Sequence, residues 1–405
     1  MNAPLECIIQ KYEKSTVDWK KGMSGKRSVI FREQDFKETG KRDFMNQLME
    51  LEMEGLVKVK WYQYGIEAEK AWYSLEQMET IYQRLGKIPK FKRINKLKEE
   101  VDQQLALIQS QWIRSYYQSF LQSLDKGDVP KALDTPKREL LFTCFKAIDC
   151  LQEPVYKRIF SKKYLGNTKT FEQEMQSHVI STAKKFCPDV EKEMDDTTVL
   201  QQLWIEEYAQ ELSLKGKLHF CLKEENGSTQ EINTECYRFG TTLNSQTLEH
   251  AEIKEVQNIQ KIVIFENKAN YISAPYKDGI LYLFSHGYFS PKECRFLKQL
   301  HQVLKNQTSC EVQYFHSGDL DYGGIKIFQY IRKTIFPELE PLQMDVETYE
   351  AYQEFTEVID PETLEKLKRV QDENPKLQEL IKRLIETGKG IEQECFLIEK
   401  RGNHI

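Results

Sequence analysis

The stretch Gly318-Asp319-Leu320-Asp321-Tyr322-Gly323-Gly324 sets two carboxylates two residues apart, just after the hydrophobic run Val312-Gln313-Tyr314-Phe315. Side chains on a strand alternate with a period of two, so Asp319 and Asp321 are expected to point the same way at its end. Two like charges held that close are costly unless a cation neutralises them. Hard oxygen ligands with no Cys or His beside them point to Mg²⁺ or Mn²⁺ rather than zinc. The two glycines permit close approach of backbone to a phosphate and open a helix. That helix is expected over Gly324–Lys333, with Ile325, Phe328, Ile331 and Ile335 spaced for one buried face. A lone D-x-D also suits a solvated turn that caps the next helix, so the elements that position the pair carry the argument.

Lys261-Ile262-Val263-Ile264-Phe265 is a short apolar run of the kind that forms a strand buried on both faces, and it ends in Glu266. A third run, Ile280-Leu281-Tyr282-Leu283-Phe284, ends in Ser285-His286-Gly287-Tyr288. A helical pattern over Pro291–Leu304 connects two of these runs. Strands alternating with helices predict a parallel sheet. In such sheets the site lies at the carboxyl ends of the strands, where Glu266, Asp319 and Asp321 all fall. Three carboxylates converging there read as a metal-dependent phosphoryl-transfer site.

A Glu after one strand and a D-x-D after a later one resembles the Toprim domain of topoisomerases, some primases and certain nucleases. The order of Phe265-Glu266-Asn267-Lys268, Ser285-His286-Gly287-Tyr288, the D-x-D stretch, Met344-Asp345 and Ile391-Glu392-Gln393-Glu394 resembles one family more closely. That family is JetD, the nuclease subunit of Wadjet plasmid-defence systems, related to the cleavage subunit of topoisomerase VI. The resemblance covers roughly residues 215–400. Over residues 1–210 it rests on architecture and on Leu165-Gly166-Asn167-Thr168-Lys169-Thr170-Phe171-Glu172. It implies that Glu392 and Glu394 join the metal cluster, that Lys268 contacts DNA, and that the partners are an SMC-type, condensin-like motor complex of the other Wadjet subunits.

At 405 residues the chain is long enough for two to three domains. No apolar stretch approaches the ~20 residues of a membrane span. The N-terminus lacks the basic n-region and apolar core of a signal peptide, so a cytoplasmic location is expected. Nine cysteines, at positions 7, 144, 150, 187, 221, 236, 294, 310 and 395, form no C-x-x-C pair, which argues against a disulfide framework or structural zinc. Seven histidines show no H-x-x-x-H spacing. His286 and His316 read as packed or surface residues rather than ligands.

A net charge of −5 conceals an asymmetry. Lys87, Lys90, Lys92, Arg93, Lys96 and Lys98 occupy one acid-free stretch, Lys157, Arg158, Lys162, Lys163 and Lys169 make up a second basic group, and Lys20, Lys21, Lys26 and Arg27 lie in a glycine-containing loop. The segment from Glu338 to Glu399 is heavily acidic. Any one cluster can be a solvated face. Three in the N-terminal half suggest a footprint for a phosphate backbone, with Lys90, Lys92, Arg93, Lys96, Lys163 and Lys169 as contacts to double-stranded DNA.

The expected architecture is multidomain α/β. Phe36, Phe44, Leu48, Leu51 and Met53 punctuate a helical stretch that Gly55 closes. Two strands follow, Leu56–Trp61 and Lys70–Leu75, flanking a loop with Gly65; helices before a hairpin predict a winged helix over residues 1–85, which can serve DNA or protein. Ile94, Leu97, Val101, Leu105, Ile108, Trp112, Ser115 and Phe120 predict one long helix from Arg93 to Leu124, a helical arm within residues 86–130 that suits dimerisation, partner docking or ordinary packing. Residues 131–212 are expected to be helical, with Leu140, Leu141, Phe145 and Ile148 on one face; the resemblance makes them a second, winged-helix-like (CAP-type) DNA-facing module. Residues 213–405 form the Toprim domain.

The predicted activity is endonucleolytic cleavage of double-stranded DNA. Asp319 and Asp321 hold the cation, and Glu266 completes a second metal site or acts as general base. One site cuts one strand, so breaking both strands calls for a C₂ homodimer. The chain has no G-x-x-x-x-G-K-[ST] loop, so an ATP-driven step must come from a partner. Two alternatives stay open: a tyrosine transesterase of the topoisomerase VI type, using Tyr156, Tyr164 or Tyr208, and a non-catalytic winged-helix DNA-binding protein.

Overall fold

The computed structural model describes residues 2–62, 67–207, 211–224, 227–256, 258–306 and 311–398. Gly65, Tyr208, Cys310 and Glu399 lie outside the described residues. The chain divides into two compact units, Met1–Cys150 and Leu151–Ile405. The division falls inside the stretch 131–212 expected as one module, because the helix Arg138–Asp149 packs with the first unit. No helix among the described residues is long and apolar enough to cross a membrane.

In the first unit the helix Lys41–Met53 buries Phe44, Met45, Leu48 and Leu51. Gly55, at φ +74°, takes the left-handed conformation after it, and the Leu56 amide reaches back to the Leu51 carbonyl (3.0 Å), closing the helix as expected. Two expected members of this face are elsewhere. Phe36 belongs to a separate short turn, Glu33–Phe36, and Met53 is 87% exposed. The strands Val57–Tyr62 and Glu67–Ser74 pair antiparallel, and a third strand, Lys26–Val29, pairs with Glu67–Ser74. That third strand comes from the basic stretch read as a loop. Arg27 lies in it and pairs with Asp18 (2.7 Å), so its charge is already matched inside the unit.

The long arm expected from Arg93 to Leu124 is instead two helices, Lys90–Leu107 and Gln111–Lys126. The break has a cause that spacing alone conceals. Asp149 accepts hydrogen bonds from the amides of Gln109 (2.8 Å) and Ser110 (2.7 Å), so a distant carboxylate satisfies the donors that open the second helix. The two helices pack together, with Lys98 paired to Asp125. Ile94, Leu97, Val101, Ile113, Tyr116, Tyr117, Phe120 and Leu124 are all buried. The near-heptad pattern therefore serves an intramolecular hairpin and the unit's own core.

The second unit is built on a six-stranded mixed sheet. Its strands are β1 (Glu211–Lys215), β2 (Thr241–Asn244), β3 (Lys261–Phe265), β4 (Ile280–Phe284), β5 (Gln313–Ser317) and β6 (Glu340–Pro341). Their spatial order is β6-β5-β3-β4-β1-β2. β3 runs parallel to β4 and β5, and β6 parallel to β5, while β1 and β2 add an antiparallel edge. The expected parallel sheet is thus the core of a mixed one. Ile262, Val263 and Ile264 are buried, as a strand covered on both faces requires. Helix Pro291–Asn306 joins β4 to β5, and helix Tyr322–Thr334 follows β5. Because β3, β4 and β5 are parallel and in register, Glu266, Ser285 and Gly318 leave the same edge of the sheet.

Candidate metal centre

β5 ends at Ser317, and the D-x-D segment continues past it. Leu320 forms an isolated antiparallel bridge with Ile391, through Leu320 N–H to the Ile391 carbonyl (2.8 Å) and the reverse bond (3.1 Å). Leu320 is fully buried, so the alternation of extended backbone turns Asp319 and Asp321 together to its other side. Asp321 is also the cap of helix Tyr322–Thr334, accepting from the Gly324 amide (2.8 Å). Capping and site roles coincide in that one carboxylate.

Glu266 accepts from the Asp319 amide through Oε2 (3.3 Å), while its own amide donates to the Ser317 carbonyl (3.0 Å). A side chain on Gly318 would collide with the Glu266 carboxylate, and one on Gly324 with the Asp319 carbonyl oxygen. The glycines thus let the acidic residues close up. We predict that Gly324→Ala costs about 1–3 kcal/mol of stability, the scale of forced overpacking; the obstructing atom is backbone and cannot swing aside. A melting temperature equal to wild type would refute this.

Gln393 organises the other half of the centre, and sequence reasoning missed it. Its side chain is fully buried. Its amide donates to Asp319 Oδ1 (2.7 Å), its Nε2 donates to Ser317 Oγ (2.7 Å), and its Oε1 accepts from the Asn267 amide (2.8 Å). Asn270 Nδ2 donates to its carbonyl oxygen (2.9 Å). With Gln393 locked inward, Glu392 and Glu394 on either side are exposed, and oxygens of Asp319, Glu392 and Glu394 lie within 4.8 Å of one another. The only sequence signal was a glutamine between two glutamates, which acid-seeking reading passes over.

The electrostatics follow from this crowding. Burial, then the charges of Asp319, Asp321 and Glu392, push the Glu266 carboxyl up to about 8. Burial pushes Asp319 up to about 7, against the Gln393 amide and with the charges of Glu392, Asp321 and Glu394 adding to the rise. Asp321 is raised by burial, opposed by the amides of Gly324 and Gly323. Glu392 is raised by burial and then by the charge of Asp321. Such a group accepts protons or a cation readily. The donor set is all oxygen, which fits a hard divalent ion such as Mg²⁺ or Mn²⁺.

Other residues singled out from the sequence fall apart from this centre or beside it. His316 is fully buried against Phe328 and kept neutral by burial, which lowers it to about 3. Asp345 caps the helix Val346–Ala351. Lys268 is exposed at the start of helix Lys268–Ser273, two residues after Glu266. Lys163 and Lys169 are exposed on and after helix Lys157–Leu165. In the first unit the cations of the 87–98 stretch meet acids that sequence proximity did not reveal: Lys87 pairs with Glu6, Lys92 with Glu79, Arg93 with Glu13 and Lys98 with Asp125. Lys90 donates to the Glu13 carbonyl (2.6 Å) and Lys96 is exposed. Exposed pairs contribute only ~0–1 kcal/mol, so a phosphate can still displace the acid. Tyr156 is 45% exposed and Tyr164 packs on Phe160. Tyr322, next to Asp321, donates its hydroxyl to Glu193 (2.9 Å), and burial followed by that bond raises the phenol.

Residues 225–401 match the family model described as Wadjet protein JetD, C-terminal. Over 414 residues the chain is 28% identical to the Wadjet protein JetD of Bacillus cereus (strain Q1), with 97% of this chain and 97% of that protein covered.

Proposed function

The chain belongs to the JetD family of Wadjet proteins, and we propose that it is the metal-dependent DNA endonuclease of a Wadjet-type plasmid-defence complex. The observation that carries this reading is the convergence of Glu266, Asp319, Asp321, Glu392 and Glu394 at the carboxyl edge of parallel strands, with the first four raised towards the neutral form. Four buried or crowded carboxyls are a poor stabilising device and a good cation trap. In this reading residues 213–405 form a Toprim domain, residues 1–85 a winged helix and residues 86–130 an arm, here a helical hairpin. The DNA-facing module is the part of 131–212 in the second unit.

Asp319 and Asp321, with Glu392 and Glu394, hold Mg²⁺ or Mn²⁺; when bound, the ion offsets negative charge developing on the scissile phosphate. Glu266 takes a proton from the attacking water, a role that suits a carboxyl raised towards the working pH. The water oxygen bonds to phosphorus as the phosphorus–oxygen bond to the leaving nucleotide breaks, and the leaving oxygen takes up a proton from solvent. Gln393 and the two glycines keep the carboxylates in place. Lys90, Lys92, Arg93, Lys96, Lys163, Lys169 and Lys268 contact the DNA backbone and contribute affinity without sequence preference. Two copies in a C₂ dimer cut both strands, and the SMC-like Wadjet partners supply ATP-driven work.

The test is incubation of supercoiled closed circular DNA with the purified protein in Mn²⁺ and in EDTA. Linear or nicked product with free ends only in Mn²⁺ is expected. DNA trapped covalently on the protein would replace this reading with tyrosine transesterification, and no metal binding and no cleavage, alone or with partners, would leave a DNA-binding scaffold.

A further inference from the structure

His286 is the feature of the sheet edge that the carboxylate centre does not use. The Ser285 amide donates to the Phe265 carbonyl (2.9 Å), so the turn after β4 starts level with Glu266 on the neighbouring strand. His286 has φ +44°, a left-handed backbone that residues with a side chain seldom adopt and that persists only where the surroundings hold it. Its Nε2 lies 3.1 Å from Oε1 of Glu293, whose side chain is wholly buried. The other oxygen of Glu293 accepts from the Ser290 amide (2.8 Å), and Ser290 Oγ accepts from the Glu293 amide (3.3 Å). This reciprocal cap opens helix Pro291–Asn306 with one carboxylate oxygen. The second oxygen is left to orient the imidazole. Phe284 and Phe289 flank the ring edge-on, at 5.9 and 6.3 Å, while 35% of the side chain stays open.

We infer that His286 contacts substrate in the cleavage site, turning the Nδ1 edge of its imidazolium to a non-bridging oxygen of the DNA strand held beside Glu266 and Asp319. The inference rests on the nuclease reading. A centre made of five carboxylates repels a phosphate, and the imidazole at the next strand end supplies a fixed donor of the opposite sign. Burial disfavours its charge, but the hydrogen bond and charge of Glu293 outweigh that, with a hydrogen bond to its own backbone and the charge of Asp195 adding to the effect, so the imidazolium persists above the usual histidine range. A carboxylate that fixes one ring nitrogen and so aims the other is a recurrent arrangement in sites that handle charge. Neutralising Glu293 would also explain the pair, but not the open ring or the strained turn.

The test uses the full-length protein with His286→Asn, which tolerates the left-handed backbone but cannot carry charge, and His286→Lys, which can. With melting temperature unchanged, His286→Asn should lower kcat for cleavage of circular DNA by about 10²-fold, the scale of losing one fixed donor. His286→Lys should restore most of the rate and lose the alkaline fall in activity expected of wild type. In parallel, ¹⁵N-imidazole spectra of the Asp319→Asn protein in EDTA, with the His286 signal identified through His286→Asn, should show that signal moving on addition of a short DNA duplex. Wild-type turnover in His286→Asn, or a signal unmoved by saturating duplex, overturns the inference. If wild type cuts nothing, alone or with its partners and ATP, the nuclease reading fails, and the spectra still decide whether His286 meets a phosphate. They decide equally if His286→Asn does not fold.

Discussion

Asp319→Asn should lose cleavage by at least about 10²-fold, as expected when a charge-stabilising element is removed, and should at the same time stabilise the metal-free protein. Asp319 sits beside Asp321, Glu392 and Glu394 and is hydrogen-bonded through Oδ1 to the Gln393 amide. An asparagine keeps the Gln393 bond and removes one of the charges that repel. The dependence on pH has a definite sign. The carboxyls of Asp319 and Glu266 are raised when folded, so the folded state holds protons that the unfolded chain has already released. Stability from these groups is complete below the ordinary carboxylate range and is lost as pH rises through about 7 to 8. In EDTA, Asp319→Asn should therefore melt above wild type near pH 8, with the gap closing towards pH 5. Added Mn²⁺ should reverse the order, because only wild type gains binding energy from the ion. Equal melting curves in EDTA at both pH values would show that the cluster is not under charge strain.

The second large effect concerns partners. The purified chain alone should cut closed circles weakly, and addition of the SMC-like Wadjet subunits with ATP should raise the rate by about 10²-fold or more, equivalent to a coupling free energy of about 3 kcal/mol. In the proposed reading Lys90, Lys92, Arg93, Lys96, Lys163 and Lys169 act as backbone-directed cations with no means of reading a base sequence. Several of them are half-engaged by Glu13 and Glu79 in the free protein, which lowers the affinity for DNA that has not been presented. On that reading, selectivity for closed circles is expected to come from DNA topology sensed by a motor. Cleavage rates on linear and circular DNA, with and without the partners, measure this directly. Robust cutting of both forms by the chain alone would end the gating idea and leave the nuclease assignment standing.

The parts of this molecule legible in its sequence are those set by neighbours along the chain. The apolar run Lys261–Phe265, the D-x-D followed by two glycines, and the helix after it are local patterns, and period-two and period-3.6 arguments locate them to within two residues. Their arrangement at one sheet edge follows from the rule for parallel strands, so the three carboxylates Glu266, Asp319 and Asp321 were legible together. Glu392 and Glu394 were reachable only through family resemblance, since 126 residues separate Glu266 from Glu392 and no local period spans that interval.

The tertiary structure decided what depends on contacts between distant segments. Asp149 splits the expected arm into two helices by capping one of them, and a carboxylate about forty residues away leaves no trace in heptad spacing. Glu6, Glu13, Glu79 and Asp125 pair with cations that looked free, because an acid-free stretch of sequence is not an acid-free surface. Gln393 becomes the hub of the centre, and Glu293 the anchor of His286, only once Ile391 pairs with Leu320 and helix Pro291–Asn306 packs beneath the strand ends. Residue type and periodicity determined which groups could do chemistry. Chain folding decided which of them are buried, paired or aimed, since burial and Coulomb energy depend on distance in space rather than along the chain.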